Sequence, residues 1–496
     1  MGAKMKKYLF TLASGILTGL AMPGNLFSYL IWFSLAFYLY NMKNSQKTSE
    51  RFLHTIIFSF SMLFTTLWWQ IPVLAKNIPE IAGDYPAILG FLGFLGMIIL
   101  LCLPYLLIWV LAELYHRKSR KENYFSQIFF YSLAFTSAEA LREFGDFAFT
   151  GGSLSYAIYD FTGIIQIASI TGYLGVTFLI VLINAVIAFD KRKNYFLKTS
   201  ILLTLIFTIN TTIERLLPIN DVYENTFKIT AVQMNVPQGI KYSSNIWSQY
   251  LNFTELIEIA EKFETDLIVF PESTFMEDIN KTDVKNTFIN RVFSTNKNII
   301  MSYPRFSETD YYNTVWYYNN ENETFEYYDK IKLTPFAEFL PYEVIFGNFD
   351  LFNLLRFYTK GSNYNNFNVN GVNIGAQICF ETYFPEVSQN QTLEGAQFLM
   401  AVTNDGWFDN KIGLKQHFYQ GVFRAVENRR DFVQVSNTGL TGRIDKYGRI
   451  IQVFEPQQEI VNTIDIELNN SISFYTRFKN LLIILLFIAV LIVAII

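Results

Sequence analysis

Three residues that together can carry out nucleophilic catalysis lie at or just after apolar, strand-like stretches in the second half of the chain. Cys379 lies near the end of the run 372–380, Glu272 follows the run 266–270, and Lys330 lies among aromatic residues and prolines. A carboxylate beside a dry core is a usable base, a thiol attacks carbonyl carbon, and a lysine stabilises the resulting oxyanion. The chain has only three histidines. A set of Glu, Lys and Cys is consistent with this, because it can activate the thiol without an imidazole group.

Each of these residues also has a purely structural interpretation. A free cysteine packs well in a core, so Cys379 alone fits a small buried hydrophobe. Glu272 alone fits a solvated loop carboxylate, and Lys330 fits a surface charge whose stem packs on Tyr328. The ordered occurrence of Glu, Lys and Cys on successive strand ends favours a catalytic role for the three residues over a structural one.

The composition predicts a membrane protein. Of 496 residues, 51% are hydrophobic, 17% aromatic and only 17% charged, a balance too apolar for a soluble chain of this length. A net charge of -4 gives no electrostatic case for nucleic acid. The apolar runs predict spans near 8–22, 26–41, 52–74, 86–112, 125–145, 161–189, 197–217 and 480–496.

The composition changes near residue 218 and predicts three parts. These are a transmembrane domain of about seven helices (1–217), a polar domain (218–479) and a C-terminal span (480–496). Basic residues cluster at 4–7, 43–51, 117–121 and 191–198. Because cytoplasmic loops are rich in Lys and Arg, we expect both ends in the cytoplasm and the polar domain on the far side.

Strand-like and helical patterns alternate through residues 218–479. Strands are predicted at Phe227–Met234, Asp266–Phe270, Asn298–Tyr303, Thr314–Tyr318, Val372–Phe380, Phe398–Thr403 and Phe432–Ser436. Helical patterns cover Asn245–Phe263 and Phe418–Asn428. This alternation predicts a layered α/β fold.

The motifs around these residues are specific enough to resemble a known family. They are Val232–Gln238, Pro271-Glu272, Leu333–Pro341, Ile378–Glu381, Thr403–Phe408, Gln416-His417, Arg424–Asn428 and Ser436–Thr441. They resemble the nitrilase (carbon–nitrogen hydrolase) superfamily and, within it, the apolipoprotein N-acyltransferase family. The seven-plus-one arrangement of spans around the polar domain also matches, so the resemblance covers essentially the whole chain.

The resemblance implies a four-layer αββα sandwich on the periplasmic face of a bacterial inner membrane, attached to a multi-span helical domain. It implies acyl transfer from a phospholipid to the amine of a diacylated apolipoprotein by a ping-pong reaction through a thioester. By position, Cys379 is the nucleophile, Glu272 the general base and Lys330 the oxyanion stabiliser. Glu338 and Glu381 match carboxylates that support the site.

Three aromatic positions complete the expected substrate-binding set. Phe380 stands where the family often has Tyr, and Tyr242 where it often has Trp. Trp407 follows a strand end and, with Phe408 and Phe418, either forms a lip over an acyl chain or belongs to the core. His417 is interpreted as a structural residue at a helix start.

Two other classes of function remain open on the sequence. A membrane-tethered nitrilase-type amidase would use the same three residues, because both reactions pass through an acyl-enzyme. A receptor or scaffold with a nitrilase-like fold is disfavoured by the intact Glu272, Lys330 and Cys379. No second histidine accompanies His417 as a metal partner and no phosphate-binding loop is found, so we expect no metal and no cofactor.

Overall fold

The computed structural model describes residues 3–82, 85–118, 123–190, 195–218, 226–346, 357–408 and 410–495. From the predicted basic loops, residues 120–121 and 191–193 lie outside the described residues. Residues 219–225, which follow the predicted start of the polar domain, also lie outside them.

The first part of the chain is helical. Its α-helices are α1 (Ala3–Leu20), α2 (Ala36–Asn44), α3 (Thr48–Leu67), α4 (Gln70–Pro72), α5 (Ile78–Ala82), α6 (Ala87–Cys102), α7 (Leu106–Lys118), α8 (Tyr124–Leu141), α9 (Ala168–Phe189) and α10 (Tyr195–Leu216). Shorter 3₁₀ turns at Leu103–Tyr105 and Ile164–Ile167 connect α6 to α7 and lead into α9.

Several of these helices have the length and composition of membrane spans. Among the described residues, Ala87–Arg117, Ile164–Phe189 and Phe474–Ile495 are long and apolar enough to cross a bilayer. Helix α3 and the segment Gln70–Glu80 qualify together as a fourth, bent by 74° at the break between them. The apolar helical character predicted for this region is therefore present.

Two predicted spans differ in their bounds from the helices found there. Residues 26–41 do not form one helix, because a 3₁₀ turn at Ser28–Trp32 precedes α2, which begins at Ala36 and has nine residues. The last helix begins at Phe474, ahead of the predicted start at 480. An amphipathic first turn explains this earlier start, since Tyr475, Thr476 and Lys479 are buried against protein.

The second part of the chain alternates strands with helices, as the pattern predicts. Its strands are β1 (Thr226–Gln233), β2 (Leu267–Val269), β3 (Asn298–Ser302), β4 (Arg305–Ser307), β5 (Asp310–Tyr312), β6 (Thr314–Asn319), β7 (Thr324–Asp329), β8 (Phe367–Val369), β9 (Val372–Ile378), β10 (Phe398–Thr403), β11 (Phe432–Ser436), β12 (Gly442–Ile444), β13 (Ile450–Val453) and β14 (Ile460–Glu467). Its helices are α11 (Gln238–Ser243), α12 (Ile246–Ala260), α13 (Lys285–Phe293), α14 (Glu343–Phe346), α15 (Pro385–Leu393), α16 (Lys411–Phe418), α17 (Gln420–Asn428) and α18 (Phe474–Ile495).

Two six-stranded sheets form the centre of this part. One has the order β14-β1-β2-β3-β6-β7 and the other β13-β12-β11-β10-β9-β8. Strands β1, β2 and β3 are parallel, and so are β9, β10 and β11. The carboxyl ends of parallel strands lie at the same edge of a sheet, which is where the chain delivers Glu272 after β2 and Cys379 after β9.

The two sheets pack face to face between layers of helices. Side chains such as Ile229, Ile374 and Met400 fill one core between the sheets. A second core includes Phe253 of α12 and Phe288 of α13 on the outer face of the first sheet. Helices α15 and α17 pack on the second sheet, so the layers follow the predicted αββα order.

The outer helical layer of the second sheet shares a core with the N-terminal helices. Leu414 and Phe418 of α16, and Val422 and Val426 of α17, belong to the same buried cluster as the apolar faces of α3, α8 and α9. Rings meet across this boundary, with Tyr156 and Phe423 centred 5.0 Å apart. The two parts are therefore joined by continuous apolar packing.

Candidate active site

Cys379 lies on a sharp turn at the end of a buried strand. Strand β9 ends at Ile378, and a 3₁₀ turn begins at Cys379 and ends at Tyr383. Cys379 has a φ of 47°, in the left-handed region. For a residue with a side chain such a conformation costs roughly 1–3 kcal/mol and persists only where surrounding contacts hold it. The turn presents the thiol at the edge of the sheet.

The buried carboxylate of Glu381 holds this turn in place. It accepts hydrogen bonds from the backbone N–H of Ile378 at 2.8 Å, from Ile331 at 2.7 Å and from Lys332 at 3.1 Å. The Tyr328 hydroxyl donates to it at 2.9 Å. Burial raises the pKa of Glu381, and the backbone hydrogen bonds partly offset that effect. Glu381 thus joins the turn of the thiol to the segment that follows Lys330.

Lys330 follows β7 and is 1% exposed. Its ammonium nitrogen lies 2.8 Å from Glu338 Oε2 and 3.7 Å from Glu272 Oε1. Burial alone lowers the pKa of Lys330, but the carboxylates of Glu338 and Glu272 outweigh it and raise the pKa above the ordinary value. Lys330 is therefore a fixed positive charge inside the site.

Glu272 is buried and accepts hydrogen bonds on both carboxylate oxygens. The Asn313 side-chain amide donates to Oε1 at 2.9 Å, and the backbone N–H of Asn404 donates to Oε2 at 2.9 Å. The Asn313 amide also donates to Glu338 Oε1 at 2.8 Å. Both carboxylate oxygens of Glu272 therefore have hydrogen-bond partners within the site.

The surroundings of the Cys379 thiol favour its neutral form. Burial, reinforced by the negative charge of Glu272, raises the pKa of Cys379 well above its ordinary value, and the positive charge of Lys330 opposes that rise. A thiol in this state needs a base in the same pocket before it attacks a carbonyl carbon. The structure brings Glu272, Lys330 and Glu338 into direct contact and places Cys379 within the electrostatic reach of all three.

Aromatic side chains form part of the surroundings of the site. The ring of Phe380 stacks on Phe149 of the N-terminal part, with centroids 5.8 Å apart and planes within 4°. Tyr242 is 49% exposed and meets Trp407 edge-on at 5.7 Å. Phe418, by contrast, is fully buried in the core, so a lip role for it is wrong.

The sequence suggested that His417 lies at the start of a helix, and this prediction is wrong. It occupies the last turn of α16 and is 1% exposed. Nδ1 lies 2.7 Å from Asp405 Oδ1, and Nε2 lies 3.1 Å from the backbone carbonyl of Cys379. The helix instead begins after Asn410, whose side chain caps it by accepting a hydrogen bond from the N–H of Ile412.

The ligand-type atoms of Cys379, Asp405 and His417 lie within 4.8 Å of one another. Asp405 and His417 are hydrogen-bonded directly to each other, and the second ring nitrogen of His417 faces a carbonyl oxygen. Neither ring nitrogen is open toward a shared ion. The chemistry of this set is that of a hydrogen-bonded dyad beside a thiol rather than a metal centre.

Sequence reasoning missed several residues that shape the site. Asn313 precedes β6 and carries no recognisable signal, since its role depends on two carboxylates 41 and 25 residues away in the chain. Asn404 and Asp405 follow β10, so the rule that polar residues collect at strand ends could have identified them. Lys241, 3% exposed, donates to the backbone carbonyl of Glu272 at 3.4 Å.

Two family models together match most of the chain. Residues 14–186 match the apolipoprotein N-acyltransferase N-terminal domain, and residues 228–474 match the carbon-nitrogen hydrolase family. An apolipoprotein N-acyltransferase of Thermotoga maritima is 35% identical over 478 residues, which covers 94% of this chain and 88% of the relative. One of Geobacter metallireducens is 28% identical over 497 residues, covering 95% and 92%.

One solved structure is similar to about half of the chain. The crystal structure of Saccharomyces cerevisiae Nit3, a member of the nitrilase superfamily, has a TM-score of 0.39 and 16% identity, and covers 49% of this chain and 91% of that chain.

Proposed function

Because this chain belongs to the apolipoprotein N-acyltransferase family, we propose that it transfers an acyl chain from a membrane phospholipid to the N-terminal amine of the diacylglyceryl-cysteine of an apolipoprotein. The observation that carries the proposal is the convergence of Glu272, Lys330 and Cys379 from three separate strand ends. The continuous core with apolar helices supports a donor that reaches the site from a bilayer.

In the first half of the proposed reaction, Glu272 takes the proton from the Cys379 thiol and the sulfur attacks the ester carbonyl of the phospholipid. The oxyanion of the tetrahedral intermediate is stabilised by the ammonium group of Lys330. When the intermediate collapses, the ester C–O bond breaks and the lysophospholipid oxygen takes the proton from Glu272. A thioester on Cys379 remains.

In the second half, the amine of the apolipoprotein attacks the thioester carbonyl. Glu272 accepts a proton from the nitrogen, the C–S bond breaks, and the departing sulfur regains that proton. An amide is formed and Cys379 returns to the thiol. The buried Glu338 and Glu381 serve as positioning residues, since each is held by hydrogen bonds to the segment around Lys330.

We further propose that residues 1–217 and 480–496 hold the protein in a bacterial inner membrane, with residues 218–479 on the periplasmic side. The basic residues near 43–51 support this orientation. Reporter fusions in the loops at 43–51 and 116–121 should report the cytoplasm, and one near 220 the opposite side. The reverse pattern would overturn the orientation.

The first experiment is intact mass spectrometry of the purified protein after incubation with a phospholipid and no acceptor. We expect a mass gain of one acyl chain on Cys379 that a diacylated lipopeptide releases. Cys379→Ala should abolish the adduct, and Cys102→Ala, which changes the other cysteine of the chain, should leave it intact. Lys330→Met should slow adduct formation by roughly 10²–10³-fold.

The match of residues 228–474 to carbon–nitrogen hydrolases favours one alternative, a membrane-tethered amidase that hydrolyses a C–N bond. It would share the acyl-enzyme and differ in the second nucleophile. Release of the adduct by water as fast as by the lipopeptide would favour this alternative. Absence of any adduct would overturn the proposed acyl transfer.

A further inference from the structure

His417 makes contacts that the proposed reaction does not use. Both of its ring nitrogens face oxygen acceptors, Asp405 Oδ1 at 2.7 Å and the Cys379 carbonyl at 3.1 Å. A carbonyl oxygen only accepts hydrogen bonds, so Nε2 carries a proton. The state of Nδ1 then depends on whether Asp405 is a donor or an acceptor.

The hydroxyl groups around Asp405 identify its Oδ2 as a hydrogen-bond acceptor. Its other oxygen, Oδ2, accepts hydrogen bonds from the hydroxyls of Thr403 at 3.1 Å and Ser436 at 3.0 Å. The Ser436 oxygen also accepts the backbone N–H of Gly439 at 3.0 Å, so its own proton is free to point at Asp405. When Oδ1 of the same carboxylate also accepts, Nδ1 must carry a proton, and His417 is then an imidazolium.

We propose that His417 is a protonated positioning residue that holds the Cys379 carbonyl in the left-handed turn and balances the Asp405 carboxylate beside the Cys379 thiol. This inference deepens the description of the same site. It rests on the proposed function only in one respect, namely that a more reactive Cys379 thiol would speed the proposed acyl transfer. One ring nitrogen, the thiol sulfur and an Asp405 oxygen all lie within 4.8 Å of one another. Without the imidazolium, the thiol would face an uncompensated negative charge.

Further contacts keep His417 in place. The ring of Tyr383 stacks on it at 5.4 Å with planes within 8°, and Phe408 meets it edge-on at 6.3 Å. The neighbouring Gln416 anchors α16 by accepting from Trp69 Nε1 at 2.9 Å and donating to the Thr66 carbonyl at 3.0 Å. The ring therefore has little freedom to leave the nucleophile.

The charged and titratable groups that act on His417 are Asp405, Cys379, Tyr383 and Glu272. Burial lowers the pKa of His417, but the charge of Asp405, its hydrogen bond and the Cys379 carbonyl outweigh burial and raise the pKa above the ordinary value. This direction agrees with the two-acceptor geometry.

The inference predicts a two-step pH profile for alkylation of Cys379 by iodoacetamide in the full-length Cys102→Ala protein, without lipid. While His417 is protonated, its positive charge lowers the pH at which the Cys379 thiol ionises. The alkylation rate therefore begins to rise with pH at low pH, and it levels off where His417 loses its proton. A second rise follows at higher pH, where the thiol ionises beside neutral His417. A single rise would overturn the proposal.

His417→Gln tests the same point by substitution. The neutral-pH alkylation rate should fall roughly tenfold or more, because a charge at this distance shifts a pKa by about one to three units. Near pH 10 the rates should converge. Unchanged neutral-pH rates in folded His417→Gln would overturn the inference. The matched control is His54→Gln, a buried histidine bonded to Thr11 at 2.7 Å, which should keep both steps.

A substitution of Asp405 distinguishes two roles for His417, balancing the negative charge of Asp405 and supporting the fold. In the double variant His417→Gln/Asp405→Asn the uncompensated charge is absent, so the neutral-pH rate should recover toward the parent value. A purely structural role predicts no recovery. Because alkylation needs no lipid, these outcomes are independent of whether a phospholipid acylates the protein.

Discussion

The ammonium group of Lys330 donates a hydrogen bond of 2.9 Å to Glu338 Oε1 and lies 2.8 Å from Oε2 of the same carboxylate. Glu272, the proposed base, is more distant at 3.7 Å. The charge of Lys330 is therefore held mainly by Glu338, and Glu272 accepts its hydrogen bonds from Asn313 and from the backbone N–H of Asn404. Loss of the Glu338 carboxylate should therefore have different consequences from loss of the Glu272 carboxylate.

Glu338→Gln should impair the site without removing any proposed reacting group. Three donors point at this carboxylate, from Lys330, Thr334 and Asn313, and a glutamine would place an NH₂ group against one of them. We expect acyl-enzyme formation to slow by roughly 10–1000-fold and the folded state to lose about 1–3 kcal/mol. The measurements are the adduct rate and the unfolding temperature, with exposed Glu343→Gln as control. Equal adduct rates in both variants would contradict the role of Glu338.

Lys241→Met should stabilise the protein, and more so in acid. Burial lowers the pKa of Lys241 from 10.5 to about 7. The charge therefore destabilises the folded state fully below about pH 7, and the penalty fades as pH rises toward 10.5. The unfolding temperature of the variant should exceed that of the parent more at pH 6 than at pH 9. Exposed Lys262→Met should show no such dependence, and a gain independent of pH would refute the assignment.

His417 should contribute stability that depends on pH in the opposite sense. Its folded pKa is raised above 6.5, so its stabilisation is fully present below 6.5 and is lost as pH rises through the folded value. The difference in unfolding temperature between the parent and His417→Gln should be largest near pH 6 and should shrink by pH 9. A difference of the same size at both pH values would indicate a contribution from packing alone.

Gln416→Ala should loosen the contact between the catalytic part and the break after α3. The substitution leaves the Trp69 indole N–H and the Thr66 carbonyl without their partner, at a cost of about 1–3 kcal/mol. Thermal unfolding in detergent measures this loss. Lys415→Ala, an exposed neighbour on the same helix, is the control, and equal stability of the two variants would argue against the contact.

Some elements were predictable because burial leaves a clear pattern. Strands β10 and β11 have the predicted bounds Phe398–Thr403 and Phe432–Ser436, since both are buried throughout and consist mostly of apolar residues. The edge positions of Glu272 and Cys379 were predicted from two other runs, 266–270 and 372–380, because a buried strand delivers its next polar residue to an edge.

Other elements lacked such a signal. Strand β7 is largely exposed, with a sequence rich in Thr, Glu and Tyr, so its residues do not form an apolar run. The predicted span 26–41 failed because apolar content alone does not distinguish a helix from a 3₁₀ turn in a protein core. The pair Asp405–His417 joins a strand end to a helix 12 residues later, a contact that depends on tertiary packing.

The apolar boundary between α16, α17 and the N-terminal helices limits how this enzyme can be handled in the laboratory. Cutting the chain on either side of residues 226–474 would leave Leu414, Phe418, Val422 and Phe423 without the partners that cover them. Such a fragment would expose a large apolar surface, and it would precipitate or require detergent. Screening and crystallisation therefore call for the intact chain in a lipid-like environment, where the membrane helices themselves act as the solubilising cover of the catalytic sandwich.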